Sequence, residues 1–251
     1  MSKRRLAGCR VLVTRPRARA EELCFLLEEE GAEVVALPML DIEPPTDLRG
    51  LRAAAEGLAR FSWVAFASAA AVEALVEAAR TAGTTAALRK LKVAVVGPGT
   101  ARVARAAGLE VALEAQGGTG GALGEELRPR LQPGDEVLLP AAEEGRPELE
   151  QALAGAVTRV AAYRTTRPAV EDAVWADLRT RPPAAVLFAS PRTAEAFVEA
   201  GGRPLLARAR AVAIGPTTAS ALGALGVPVA GVADRPTSAD LVEAAVRAVR
   251  G

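Results

Sequence analysis

Short apolar runs alternate along the chain with longer amphipathic stretches. The apolar runs fall near 10–14, 33–37, 62–66, 92–96, 109–113, 136–139, 157–163, 184–188, 210–214 and 227–230. Each leads into roughly 10 to 14 residues whose apolar positions recur at i, i+3 and i+4, the spacing of one helix face. The pattern predicts ten strands, each followed by a helix. Strands that are apolar throughout are buried on both faces, and strict βα alternation then implies parallel sheets covered by helices on both sides. The fold class expected is α/β, with two similar five-stranded, flavodoxin-like lobes.

The lobes are similar because the sequence repeats itself. Phe61-Ser-Trp-Val-Ala-Phe-Ala-Ser68 resembles Pro183-Ala-Ala-Val-Leu-Phe-Ala-Ser190, and both precede helices carrying Val-Glu-Ala. Val95-Val-Gly-Pro-Gly-Thr-Ala101 resembles Ala213-Ile-Gly-Pro-Thr-Thr-Ala219, with Gly108 and Gly226 following at equal distance. Thr119 to Leu123 matches Thr237 to Leu241, and Val11-Leu-Val13 echoes Val137-Leu-Leu139. Four elements recurring in one order mark an internal duplication.

The two copies do not meet at a linker. Gln132-Pro-Gly-Asp135 reads as a tight helix-to-strand turn. The extended, proline-bearing stretches are Asp41-Ile-Glu-Pro-Pro-Thr46 and Arg164-Thr-Thr-Arg-Pro168, each just after the second strand of its repeat. This predicts crossed, discontinuous connectivity. Lobe one is expected to take residues 1–43 and 167–251, and lobe two 44–166, with a two-stranded linker near 41–46 and 164–168. Functional sites are then expected on strand ends that face each other across a cleft.

Composition narrows the chemistry. The chain has 251 residues, a formal net charge of +1, and arginines spread without basic runs, so no nucleic-acid footprint is expected. There is no apolar leader core and no run near the roughly 20 apolar residues of a membrane span. A cytoplasmic, monomeric protein without nucleic-acid or membrane partners is expected. Cys9 and Cys24 lack metal or disulfide-framework spacing and read as small buried hydrophobes. Histidine is absent. Ser-His-Asp and Cys-His catalysis, His-ligated zinc and imidazole acid–base chemistry are therefore excluded.

Ligands of parallel α/β sheets bind beyond the carboxyl ends of the strands, where helix N-termini present unpaired amides. Hydroxyl residues recur at these places: Thr14-Arg15-Pro16, Ser68, Thr100, Ser190-Pro191 and Thr217-Thr218. Each is explained either as a helix N-cap or as part of an anion-binding edge. Gly97-Pro-Gly99-Thr-Ala-Arg102 lacks the third glycine of a dinucleotide fingerprint, and no GxxxxGK[ST] phosphate loop is present. Gly117-Gly-Thr-Gly-Gly121 reads as a flexible strand-to-helix loop. Tyr163 is the only tyrosine and directly precedes the second linker stretch. It either packs there or offers a phenol able to donate a proton.

Taken together, Val11-Leu-Val-Thr-Arg-Pro16, Phe66-Ala-Ser68, Phe188-Ala-Ser-Pro191, Ala213-Ile-Gly-Pro-Thr-Thr-Ala219 and Tyr163-Arg-Thr resemble the uroporphyrinogen-III synthase family over almost the whole length. The resemblance implies two α/β lobes joined by a two-stranded linker. It implies a cofactor-free and metal-free lyase of tetrapyrrole biosynthesis. Such an enzyme closes hydroxymethylbilane to uroporphyrinogen III, with loss of water and inversion of ring D. It further implies that Ser68, Thr100, Ser190, Thr217 and Thr218 bind substrate carboxylates, that Thr14 and Arg15 match the N-terminal motif, and that Tyr163 assists departure of the hydroxyl. Gly145 and Arg146 match the family's Gly-Arg pair, whereas Ala141 and Glu143 leave that wall less cationic. A two-lobed ligand-binding module of the periplasmic type and a nucleotide-dependent flavodoxin-like enzyme are the alternative readings.

Overall fold

The computed structural model describes residues 4–16, 19–153 and 155–251. In chain order its elements begin with β1 (Arg10–Val13), α1 (Glu21–Glu29), β2 (Glu33–Ala36), β3 (Asp41–Glu43), α2 (Arg49–Glu56), β4 (Trp63–Phe66) and α3 (Ala69–Thr81). They continue with α4 (Thr85–Leu88), β5 (Lys92–Val95), α5 (Pro98–Ala106), β6 (Val111–Glu114), α6 (Gly120–Leu127), β7 (Val137–Ala142), α7 (Glu148–Leu153) and β8 (Val157–Thr166). The last are α8 (Asp172–Thr180), β9 (Ala185–Phe188), α9 (Pro191–Phe197), α10 (Arg203–Leu206), β10 (Arg210–Ala213), α11 (Pro216–Ala224), β11 (Val229–Val232) and α12 (Ser238–Arg250).

The chain divides into two compact units. Lobe one comprises Met1–Asp41 with Thr166–Gly251, and lobe two comprises Ile42–Thr165. The lobe-one sheet has the order β2-β1-β9-β10-β11, with every neighbouring pair parallel. Lobe two has the order β8-β7-β4-β5-β6, also parallel, with β3 added outside β8. The two orders coincide once β7 and β8 stand for β1 and β2. Each sheet thus joins two strands of one repeat to three of the other.

Alternation within the strands sends successive side chains to opposite helix layers. In lobe two, Val64 and Phe66 of β4 pack with α2, α3 and α5, whereas Trp63 and Ala65 pack with α6 and α7. In lobe one, Leu12 of β1 and Phe188 of β9 face α8, α9 and α11, while Val11, Val13 and Leu187 face α1 and α12. All four residues of β4 and all four of β9 are buried. Each large apolar side chain so enclosed contributes roughly 1.5–3 kcal/mol.

Of two local features, the first agrees with the sequence expectation and the second differs from it. Residues 41–43 form a strand beside β8 on the sheet edge, where a two-stranded linker is expected, and Pro44 and Pro45, which lack the ladder donor, end it. The second Val-Glu-Ala does not continue its helix: α9 ends at Phe197 and opens into a wider turn over Val198–Gly202, with Gly201 at φ 91°. The first copy runs unbroken to Thr81. Among the described residues no helix is long and apolar enough to cross a membrane.

Candidate functional site

In lobe two, β4 ends at Phe66, and Ser68, two residues on, caps α3 by accepting the Ala71 amide at 3.2 Å. The same hydroxyl lies 3.0 Å from the Tyr163 hydroxyl. Tyr163 reaches it because β8 is bulged. Ala141 pairs with Ala161, but Ala142 pairs with Tyr163, leaving Ala162 as an extra residue. Val160 and Ala162 face the α2–α3 layer, so strict alternation would send Tyr163 to the other face. The bulge brings its ring to that same layer. The Glu143 amide donates to the Tyr163 carbonyl at 2.7 Å, which fixes the backbone where the register slips.

The segment after β7 explains its departure from the family pattern. Glu143 accepts both the amide and the hydroxyl of Thr46 at 3.1 Å, so its carboxylate ties down the chain leaving β3. Arg159 donates to the Ala142 and Glu143 carbonyls at 2.6 and 3.1 Å. Gly145 is required by close approach, since a Cβ there would lie 2.9 Å from the Ala142 carbonyl oxygen. Arg146 is exposed just before α7. The acid at 143 therefore serves the turn that holds Tyr163.

The strand-to-helix turns after β5 and β10 match each other. Gly97 and Gly215 are the N-terminal flanking residues of α5 and α11, each followed by proline at the first helical position. Thr100 and Thr218 are buried third residues of their helices, not caps, and Thr217 is exposed. The expected hydroxyl edge is thus reduced here to Thr217, because the helix rotation turns its neighbours inward. What these turns offer instead is backbone. First-turn amides have no intrahelical acceptor, and a Cβ at Gly97, Gly99 or Gly215 would meet nothing within 4 Å. The φ angles of Gly97 and Gly215, 165° and 177°, are extended values open to any residue.

In lobe one Thr14 is fully buried, and its hydroxyl donates to the Leu187 carbonyl at 2.8 Å. It fastens β1 to β9 and does not present a hydroxyl to a ligand. Arg15 is half-buried and donates to Ser238 at 3.4 Å, and Ser238 in turn donates to Glu22 at 2.7 Å. Ser190 caps α9 in a capping box with Thr193. Two further caps, Thr119 on α6 and Thr237 on α12, lie at matching strand ends. The repeat aligns these threonines, although they stand apart from the hydroxyl residues expected to line the edge. Thr237 and Arg235 hydrogen-bond Asp240 and hold its carboxyl below the usual range.

The glycine-rich loop is a packing device. Gly118 takes φ 66°, and a Cβ on Gly117 would come within 2.4 Å of the Ala122 Cβ. Within lobe two a cavity of about 530 Å³ opens between α2 and α3, reached by Tyr163 and Ala162 from below. Its lining carries Glu43, Glu56, Glu73, Glu77 and Arg52, and Arg164 and Arg80 pair with Glu43 and Glu77 at 2.6 and 2.7 Å. Among the described residues no cluster of His, Cys, Asp or Glu is placed to hold a metal.

Known proteins with this arrangement agree with one another. The family model described as uroporphyrinogen-III synthase HemD matches residues 21–243. A uroporphyrinogen-III synthase from Synechococcus elongatus is 30% identical over 212 residues, covering 79% of this chain and 77% of that one. A solved uroporphyrinogen III synthase from Thermus thermophilus superposes with a TM-score of 0.69 at 24% identity, over 97% of this chain and 99% of that one. That of Helicobacter pylori gives 0.61 at 19%, over 94% and 97%. These two likenesses establish the shared fold. By the span of the family model and the identity to its curated relative, the chain belongs to the uroporphyrinogen-III synthase family.

Proposed function

We propose that this protein cyclises hydroxymethylbilane to uroporphyrinogen III, with ring D inverted and one water lost. The observation that carries the reading is the chain's only tyrosine, turned by a bulge and set 3.0 Å from a serine hydroxyl at a strand end. A phenol so placed is suited to general acid catalysis. The C–O bond of the substrate's terminal hydroxymethyl group breaks with its electron pair going to oxygen, the phenolic proton joins that oxygen, and water leaves. The proton released when the ring closes on carbon restores the phenol. Each step uses groups of this chain alone.

The substrate carries eight carboxylates, and the turns of each lobe suit them. The first-turn amides of α5 and of α11 take carboxylates at helix N-termini, helped by Thr217 in lobe one. The Ser190 hydroxyl and the Arg15 guanidinium add side-chain contacts in lobe one, and Arg146 does so in lobe two. Thr14, Thr100 and Thr218 support these turns from within. Catalysis is mainly orientation, because unaided closure already proceeds and gives the uninverted isomer.

Incubating the protein with hydroxymethylbilane and resolving the oxidised products tests the reading. Isomer III should dominate. A mixture dominated by isomer I, equal to that formed in buffer, overturns it.

A further inference from the structure

Ser68 was expected to hold a substrate carboxylate, and its surroundings assign it another task. A serine hydroxyl has one hydrogen to give and two lone pairs to receive. One lone pair takes the Ala71 amide, and the Tyr163 oxygen lies at 3.0 Å. If the phenol gives its own hydrogen to the departing hydroxyl, the hydrogen between the two oxygens must be that of serine. A chain then runs from the Ala71 N–H to Oγ, and from the Oγ hydrogen to the phenol oxygen, leaving the phenolic hydrogen directed elsewhere. Each link polarises the next.

The second repeat supplies the contrast. Ser190 caps its helix in the same way, but its hydroxyl faces Thr193 at 3.3 Å. No tyrosine exists there to be held.

We propose that Ser68 is a positioning residue: with the Ala162 bulge and the Glu143 amide it fixes the direction of the Tyr163 phenol and gives a hydrogen bond to the phenolate formed when the proton leaves. The proposal rests on the reading of Tyr163 as proton donor. In the step itself only one proton moves, from the Tyr163 oxygen to the leaving hydroxyl, and Ser68 keeps its own.

The test is a set of variants assayed for kcat, KM and isomer ratio. Ser68→Ala should lower kcat about a hundred- to a thousandfold, the order of losing one donor to a developing charge, with KM within about twofold of the parent. Ser68→Gly, which keeps most of the cap stability, should do the same, so a folding defect cannot mimic the result. Ser68→Thr should restore most of the turnover. In a Tyr163→Phe background, Ser68→Ala should cost nothing more, because the partner hydroxyl is gone. A rise in KM with kcat kept would overturn the proposal in favour of a carboxylate ligand, and so would multiplying losses in the double variant. Slow Tyr163→Phe beside fully active Ser68→Ala would sink the positioning role alone. Full turnover of Tyr163→Phe would remove the proton donor and this proposal with it.

Discussion

Lobe one and lobe two share a strand order yet differ at one matched position. Val11 pairs with Ala185 and Val34, and Val137 pairs with Trp63 and Val157. Counting along from Val34 and Val157 in that common register brings Leu40 into the place of Tyr163. Leu40 is buried in the core of lobe one, beyond the end of the β1–β2 ladder at Val13 and Ala36, whereas the β7–β8 ladder continues to Tyr163 and slips just before it. The β5–β6 and β10–β11 ladders both slip, at Val93/Ala94 and at Ala211/Val212. The irregularity common to both copies belongs to the scaffold. The slip in the longer β7–β8 ladder accompanies the phenol, and at this matched position the copies part, Tyr163 in one and a core leucine in the other.

The largest expected effect falls on that difference. Tyr163→Phe should reduce turnover roughly 10²- to 10⁴-fold while its thermal unfolding stays close to the parent's. Steady-state assay beside a melting curve checks both, and unchanged turnover would make Tyr163 a packing residue like Leu40. The reverse should hold in lobe one. Leu40→Ala should lower stability by about 2–5 kcal/mol through a core cavity, measured by denaturant unfolding, with kcat of the folded enzyme kept. A variant as stable as the parent would mean that the position is not core.

Gly97→Ala and Gly215→Ala compare the paired turns. Neither backbone angle nor a neighbouring atom demands glycine at these positions. A methyl group should instead obstruct a ligand approaching the amides. Each change should raise KM several-fold, roughly 1 kcal/mol at most, with an unaltered melting temperature. The lobe whose change raises KM more holds more of the substrate's charge, and no change in either would show that these amides stay unused.

The smallest effect concerns charge. Arg5 hydrogen-bonds Glu243 and Glu30, both in lobe one, and holds both carboxyls below their usual range. Their folded values are depressed, so this stabilisation is complete above the unfolded carboxylate value, about pH 4.3. It is lost as pH falls through the lowered folded values. Arg5→Ala should cost about 1 kcal/mol or less at neutral pH, as for exposed pairs, and should flatten the acid limb of the stability curve. An acid limb identical to the parent's would show the network to be energetically silent.

The fold was readable because parallel strands buried on both faces must be apolar throughout, and a duplicated pattern announces itself twice. Ser68 and Ser190 were readable as caps for the same reason: a helix beginning after an apolar strand needs an acceptor for its first amides. Thr14, Thr100 and Thr218 were misjudged as ligand-facing because sequence gives a residue's distance from a strand end but not the rotation of the helix that follows. The bulge at Ala162 had no signal at all, since one extra residue in a strand is visible only against its partner. Glu143 looked like a defect in a cationic wall until Thr46, nearly a hundred residues earlier, supplied its reason.

The crossed chain path also sets an order of assembly. Lobe two is one continuous segment, so every strand of its sheet has been synthesised once Thr165 has appeared. Lobe one cannot close so early, because β1 lies between β2 and β9 and its second neighbour is made late. Until then β1 and β2 remain a two-stranded fragment, with the apolar residues of β1 and an open strand edge still to be covered. Long-range parallel pairing of this kind is slow and prone to aggregate while it waits. Ribosome-bound chains and chaperone dependence are therefore where the cost of sharing strands between repeats should be felt, well before any substrate is met.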